Sequence, residues 1–571
     1  MGIREPEFDP DGGMLRRRTV LKGLAALGAG SVPFRRALSA QAAEAGAVTP
    51  EMVAQAEWIA GLKLTDDERK EVAQSVRDSL NRFEALRNCE VGFDVAPALQ
   101  FNPAPGLRPA VGVNRNQAVA IAGPSPARPA DDEALAFLPV TRLAALVRSR
   151  QVTSVELTKL YLGRLKRFDP ILKCVVALTE KLAFEQAARA DAEIASGTYR
   201  GPLHGIPWGA KDLIAYPGYP TTWGAPQFRD RVVDQKATVA ARLDEAGAVL
   251  VAKLSMGALA MGDQWFGGKT RSPWDPRRGA SGSSAGSASA VAAGLVGFAI
   301  GSETLGSIIS PCQACGASGL RPTFGRVSRY GCMSLSWSMD KIGPIARSVE
   351  DCALILDAIH GHDGLDPTAV DQPFAWPSVT AFERLRIGVP DVEGNGKPAE
   401  ERDAVKTLRA LGFETVPVKL STKYPSGAVA LMLGVEAATV FDELTRNHVS
   451  EGLNEWPETF RQGQFTPAVE YLRAARVRTL LMRDMARLFE QVDLFVGWGR
   501  PDLTITNLTG HPSVVFPGGF RDRDGRPAPG SVVLTGRLYD ESTILAVAHA
   551  YQEATGDHHA RPPLERFLAE E

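Results

Sequence analysis

The chain has 571 residues, 44% of them hydrophobic and 23% charged, a composition that supports a large globular core and excludes a disordered polyelectrolyte. A formal net charge of -2 excludes the basic field that nucleic-acid binding needs. Six cysteines in so long a chain exclude a disulfide framework.

The first forty-odd residues read as a targeting segment. Arg16-Arg17-Arg18-Thr19-Val20-Leu21-Lys22 matches the twin-arginine export pattern, and the weakly apolar run Gly23 to Pro33 is too short to span a bilayer. Ala40-Gln41-Ala42 is the first choice of cleavage site and Ala43-Glu44-Ala45 the alternative. The expectation is a signal peptide over residues 1–42 and an exported, periplasmic protein with no stable membrane anchor after processing.

Residues 43–132 read as a helical segment followed by a linker. Thr49 to Arg87 has helical period, and Thr65-Asp66-Asp67-Glu68 looks like a helix start with acids in its first turn. Ala96 to Asp132 is rich in Pro, Ala and Asn and reads as a connector.

From Ala134 on, helical and strand patterns alternate. Leu138 to Phe168 and Lys181 to Ser196 have helical period, and Gly201 to Asp212 is a strand and turn punctuated by Gly and Pro. Ala237 to Ala246 predicts a helix, Ala248 to Lys253 a strand, Ser287 to Ala293 a small-residue helix, and Phe298 to Gly301 a strand. This alternation predicts an α/β fold with helices on both faces of a sheet. Residues from about 363 to 494 are more polar and more helical, with two or three long helices expected over Val429 to Val492. The reading is one catalytic domain, 133–561, that carries a helical insert.

Gly279 to Pro311 (GASGSSAGSASAVAAGLVGFAIGSETLGSIISP) concentrates serine, glycine and alanine around a single charge, Glu303. A serine attacks a carbonyl only when something removes its proton, and this stretch contains no base. The base must come from elsewhere, or the stretch only packs. His204 and His511 suggest a serine–histidine–acid hydrolase, but His204 reads as a loop residue. Cys312 and Cys315 have CxxC spacing without a second pair nearby, which favours buried thiols over a metal or redox site. No metal cluster is visible, and the chemistry requires no cofactor.

The serine-rich stretch is followed by Gly319-Leu320-Arg321-Pro322-Thr323 and by Asp340-Lys341-Ile342-Gly343-Pro344. Gly205-Ile206-Pro207 to Lys211-Asp212 precedes it, and Asn507-Leu508-Thr509-Gly510-His511-Pro512 and Gly536 to Glu541 lie near the C-terminus. Together these resemble the amidase signature family. The resemblance implies a central mixed, twisted sheet and a Ser-cisSer-Lys triad. Matched to this chain, the triad is Lys211 as base, Ser283 after a cis peptide bond as proton bridge, and Ser307 as nucleophile. Backbone N–H groups of Thr304, Leu305 and Gly306 would form the oxyanion hole. The implied activity is hydrolysis of an amide C–N bond in a small molecule, with esters reacting through the same acyl-enzyme.

A lysine can serve as base only if burial without a carboxylate partner lowers its pKa from about 10.4. Ser284, Ser287 and Ser289 read as packing hydroxyls and Asp212 as an organiser of the lysine loop. Where the family has Asp-x-Gly-Gly-Ser-Ile-Arg, this chain has Glu303, Leu305 and Ile309 in place of the acid, a glycine and the arginine. Two aliphatic side chains near the reacting carbonyl predict neutral, apolar or aryl amides as substrates. The insert, Trp208, Trp265 and the loop before Asn507 are expected to shape the acyl pocket. Two alternatives stand beside this reading. One is the glutaminase component of a tRNA-dependent amidotransferase, which the stretch after Arg321 resembles. The other is a non-catalytic binding protein on the same scaffold.

Overall fold

The computed structural model describes residues 48–91, 99, 127–377, 382–391, 402–497 and 500–570. The twin-arginine segment and its cleavage site lie outside them, as does most of Ala96 to Asp132. The chain divides into two compact units, Met1–Asn81 and Arg82–Glu571.

In the first unit, helix Pro50–Ala60 starts at Thr49, whose hydroxyl accepts from the Met52 N–H, and stops at Gly61 in the left-handed region. Thr65 and Glu68 cap each other's backbone at the start of helix Asp66–Arg87. The Arg69 guanidinium joins the two helices through Glu57, at 2.9 and 3.0 Å.

The second unit is built on an eleven-stranded mixed sheet among the described residues. In spatial order its strands are Val175–Leu178, Val249–Leu254, Pro207–Lys211, Phe298–Glu303, Lys341–Ala346, Ser318–Arg321, Ser513–Arg523, Arg526–Gly536, Leu494–Gly497, Arg386–Pro390 and Glu414–Val418. Helices flank it, as the alternating sequence pattern predicts. Val249–Leu254 and Phe298–Glu303 are buried along their whole length, which explains why they read as continuous runs instead of alternating ones.

Register positions the chemistry. Pro207–Lys211 and Phe298–Glu303 are parallel neighbours, with Trp208 opposite Phe298 and Ala210 opposite Ile300. The carboxyl ends of both strands therefore emerge side by side, where open α/β sheets place their ligands. Helix Ala285–Ala292 packs beside them, and each of its residues is buried. Its small side chains permit close approach: a Cβ on Gly286 would stand 2.5 Å from the Ser255 backbone nitrogen.

The stretch 363–494 departs from the helical expectation. Arg386–Pro390 and Glu414–Val418 pair in parallel, join Leu494–Gly497 and complete one edge of the sheet. Pro390 and Pro417 hide these strands in the sequence, because proline within a run argues against a central strand. The structure puts Pro417 on the edge strand, where no outward ladder donor is needed. The long-helix expectation is met by Ala468–Gln491, of 24 residues, while the rest is divided among shorter helices.

Trp208 and Trp265 also depart from expectation, since neither lines the cavity described below. Trp208 is fully buried and stacks on Phe298 with ring centroids 6.1 Å apart, and Trp265 is buried with its indole N–H on the Lys173 carbonyl. Their aromatic area went to the core. Trp208→Ala is expected to cost ~3–5 kcal/mol in denaturant unfolding, and a cost below ~1 kcal/mol would contradict this packing.

Candidate active site

Lys211 ends its strand fully buried, in a cage of hydroxyls. Its Nζ lies 2.8 Å from Ser283 Oγ, 2.9 Å from both Ser284 Oγ and Ser302 Oγ, and 3.3 Å from the Ser302 carbonyl oxygen. Burial pulls its pKa down to about 7, against the opposing pull of the Asp340 and Glu303 carboxylates. Lys253 shows the contrast. It is equally buried, but its Nζ is paired with Asp212 Oδ1 at 2.8 Å. The other Asp212 oxygen accepts from the Thr222 N–H and hydroxyl, so Asp212 orders the loop after Lys211.

Ser284 does more than pack, contrary to the reading from sequence. Its hydroxyl contacts Lys211, donates to the Ser302 carbonyl and accepts from the Ser302 N–H. Ser287 and Ser289 do pack, donating to the Ile300 and Arg271 carbonyls.

The peptide bond between Gly282 and Ser283 is cis. A Cβ on Gly282 would fall 1.8 Å from the Gly262 carbonyl oxygen, so only glycine fits there. Ser307 is 9% exposed and is joined to this loop through backbone, the Ser284 N–H donating to its carbonyl at 3.1 Å. The positive φ of the turn, 96°, falls on Gly306, while Leu305 keeps an ordinary negative φ. The Leu305 side chain is 37% exposed. Among the described residues, none accepts from the N–H of Leu305, Gly306 or Ser307, which leaves three donors at the turn.

Glu303 holds that turn. Its Oε2 accepts from the N–H groups of Ile308 and Ile309 at 2.8 and 2.9 Å, and its Oε1 from Arg321 and Asn507, both at 2.8 Å. Burial raises its pKa, but the Arg321 guanidinium and the N–H donors outweigh burial and hold it at about 2. The cation that Glu303 meets is Arg321, from strand Ser318–Arg321 two strands away in the sheet. Ile309 is 2% exposed and packs in the core, so the expectation that it borders the reacting carbonyl is corrected: of the two aliphatic replacements, only Leu305 is accessible. Thr304 is fixed from the other side, its hydroxyl donating to Asp340 Oδ1 at 2.6 Å.

The remaining sequence candidates lie elsewhere. His204 Nδ1 accepts from the Arg200 N–H, and His511 is buried against Phe489 with its pKa pushed down to about 3. Cys312 and Cys315 are buried as small apolar groups. Ser302, Ser284, Arg321, Asn507 and Asp340 are the site residues that sequence reasoning missed or left without a role. Arg321, Asn507 and Asp340 stand inside the family-like motifs, which was the available signal.

A cavity of about 650 Å³ is lined by Phe324, Tyr330, Trp337, Leu508, Leu538 and Tyr539 among others. The proposed triad residues do not line it, but residues adjoining two of its lining stretches hold the turn. Leu335 and Ser336 donate backbone N–H groups to Asp340, the partner of Thr304. Leu508 follows Asn507, the partner of Glu303. The charged groups of this cavity are internally engaged. Arg329 binds Asp366, Thr368 and the Trp337 carbonyl, while Arg478 binds Ser338 and the Leu508 carbonyl. Glu436 accepts from Ser336, Ser338 and Tyr471.

Glu303→Ala, which leaves the Arg321 charge buried without its partner, is expected to cost ~3–5 kcal/mol of stability. Turnover is expected to fall further than the folded fraction does, because the donor turn loses its anchor. Full specific activity in the folded Glu303→Ala protein would contradict that anchoring.

The amidase family profile matches residues 156–497. One of the subunits of glutamyl-tRNA(Gln) amidotransferase from Chloroflexus aurantiacus is 37% identical over 486 residues, 75% of this chain and 99% of that protein. The native peptide amidase of Stenotrophomonas maltophilia superposes with a TM-score of 0.64 at 30% identity, covering 74% of this chain and 98% of that one. A structure from a vestigial complex that reveals the origins of an s-triazine catabolic enzyme superposes with a TM-score of 0.68 at 29% identity, over 74% and 100% of the two chains. The matched profile spans more than half of the chain and the similarity takes in nearly the whole of these relatives: the chain belongs to the amidase family, hydrolases that act on amide C–N bonds.

Proposed function

We propose that the chain hydrolyses neutral acyl or aryl amides, and the corresponding esters and carbamates, through an acyl-enzyme on Ser307. The observation that carries this reading is the environment of Lys211: buried, without a carboxylate contact, 2.8 Å from Ser283, and with a pKa near neutrality. Neutral Lys211 takes the proton of Ser283 as Ser283 takes that of Ser307, and the Ser307 oxygen attacks the carbonyl carbon. The N–H groups of the Thr304–Ser307 turn receive the developing oxyanion. The proton returns through Ser283 to the departing nitrogen, and water then releases the acid.

The acyl half is assigned to the 650 Å³ cavity. Its aromatic walls suit an apolar group. Its two guanidiniums and two carboxylates already bind one another or protein hydroxyls and carbonyls, so a charged acyl group would enter without a free partner. The glutaminase reading is favoured by the 37% identity to an amidotransferase component. The engagement of Arg478 and Glu436 by protein groups weighs against it, since glutamine brings two charges of its own. Export along the twin-arginine route remains part of the proposal, supported by Arg16 to Lys22.

Ser307→Ala is expected to abolish turnover, and Lys211→Ala or Ser283→Ala to lower kcat by ~1,000-fold or more, because the three act as one unit. A Lys211→Ala enzyme with near-native amide hydrolysis would overturn the mechanism. The active form carries neutral Lys211, so kcat/KM for a neutral anilide should rise with pH through about 7 and level off above it. A profile flat from pH 5.5 to 8.5 would remove lysine as the base. A neutral aryl amide should exceed glutamine in kcat/KM, and the reverse order would restore the glutaminase reading. Protein recovered from its native host should begin near Ala43, and an intact Met1 terminus in the cytoplasm would overturn export.

A further inference from the structure

Two more grooves, of about 690 and 590 Å³, meet along helix Ile309–Cys315, where both are lined by Ser310 and Gln313. Both reach the reacting loops. Gly279 and Ser281 line the first groove and lead directly into the Gly282–Ser283 bond. Ser310 donates its N–H to the Gly306 carbonyl at 2.8 Å, and a Cβ on Gly306 would stand 3.1 Å from Ser310 Oγ. The same Cβ would lie 3.0 Å from Leu503, which lines the second groove. The nucleophile turn therefore borders this groove system as well as the walls of the aromatic cavity.

The two regions differ in charge. The aromatic cavity balances two guanidiniums with two carboxylates. The first groove is lined by Lys269, Arg277, Arg278, Arg523 and Arg526, against only Asp263 and Asp275. Asp275 is shared by three guanidiniums, those of Arg277 at 2.8 Å, Arg526 at 3.1 Å and Arg278 at 3.5 Å. Asp263 uses one oxygen on the Ser281 N–H and stands 3.9 Å from Lys269. Arg278 also reaches Asp524 at 2.9 Å, a carboxylate that is two-thirds exposed. Arg523 and Arg526 come from the tip of the hairpin formed by Ser513–Arg523 and Arg526–Gly536, which lines the groove opposite Asp275–Gly279. Trp274, Pro527 and Pro529 complete the lining with apolar surface, and low-dielectric walls strengthen the net positive field of a groove lined by five cations and two carboxylates.

We propose that this basic groove receives the amine half of the substrate, and that the preferred substrate is an amide whose leaving amine carries an anionic group, a carboxylate or a phosphate. The proposal rests on the acyl-transfer reading above and divides the substrate between two regions: the neutral acyl group in the aromatic cavity, the anion among Lys269, Arg278 and Arg523. Hydrolysis breaks the acyl carbon–nitrogen bond. The nitrogen leaves with the proton relayed from Ser307, water supplies the oxygen and proton of the acid, and the products are a carboxylic acid and an anion-bearing amine. Planar guanidiniums suit both anions through paired N–H donors.

The test uses three anilides with one neutral acyl group, built on 4-toluidine, 4-aminobenzoate and 4-aminophenyl phosphate. The full-length enzyme is expected to favour at least one anionic anilide over the toluidide by ~10-fold or more in kcat/KM, in line with charge-assisted hydrogen bonds. Lys269→Gln/Arg278→Gln is expected to remove most of that preference, and the preference should shrink with added salt because these side chains are partly exposed. The two anionic arms separate carboxylate from phosphate recognition. Equal or lower kcat/KM on both anionic anilides, or a preference unchanged in the double variant, overturns the proposal while leaving the hydrolase reading intact. If no anilide is turned over, the hydrolase reading fails, and direct binding of 4-aminobenzoate and 4-aminophenyl phosphate decides the groove. Binding weakened by the double substitution supports it, and no binding or unaltered binding overturns it.

Discussion

One buried carboxylate holds the reacting end of this protein together. Glu303 lies at the carboxyl end of a central strand, opposite Lys341 in the antiparallel ladder, and its two oxygens accept four hydrogen bonds. Two come from backbone just past Ser307, one from Arg321 two strands away, and one from Asn507 near the end of the domain. A carboxylate in so dry a place stays ionised only because Arg321 and the N–H groups face it. The turn with its open N–H donors is thereby fixed to three separate parts of the chain, and the sheet register is transmitted to the atoms that would meet a carbonyl oxygen.

Three buried lysines show how environment alone assigns the work of one residue type. Lys253 is neutralised by Asp212 and braces a loop. Lys341 donates to the Met339 carbonyl, and burial, reinforced by nearby Arg321, pushes its pKa well below the usual lysine range. Lys211 contacts hydroxyls and a carbonyl, groups that hydrogen-bond it without neutralising it. Hydroxyls can pass a proton onward and carboxylates in an ion pair do not release one readily, so of the three only Lys211 is fitted for proton relay.

The sequence made Lys211, Ser283 and Ser307 legible because their motifs are local: each is announced by its own glycines and prolines. The cis bond was implied by the family resemblance, and the α/β alternation was read from the periodicity of the chain. What it hid was register. Ser302 meets Lys211 because Ala210 pairs with Ile300, and no spacing rule gives that pairing. Arg321 reaches Glu303 from two strands away, a contact that position-by-position comparison does not show. Ile309 and Trp208 were misplaced for a related reason, since an apolar residue near a motif fits a core as well as a pocket. Strands Arg386–Pro390 and Glu414–Val418 were lost to their prolines, of which Pro417 sits on the edge strand and Pro390 at the last residue of its strand.

The residues proposed for bond cleavage and those lining the aromatic cavity come from different lengths of the chain. Lys211, Ser283, Ser307 and the donor turn all come from residues 207–307, while the aromatic cavity takes its walls from Thr323 onward and from Leu99. Between them stands Ser318–Arg321, a four-residue strand buried throughout that delivers Arg321 to Glu303. Drift or recombination downstream of this strand can alter which acyl groups are admitted and leave the proton relay intact, provided the Asp340 and Asn507 contacts survive. Under the proposed assignment, a lineage can hold its cutting residues fixed while it reshapes the aromatic cavity that faces the acyl group.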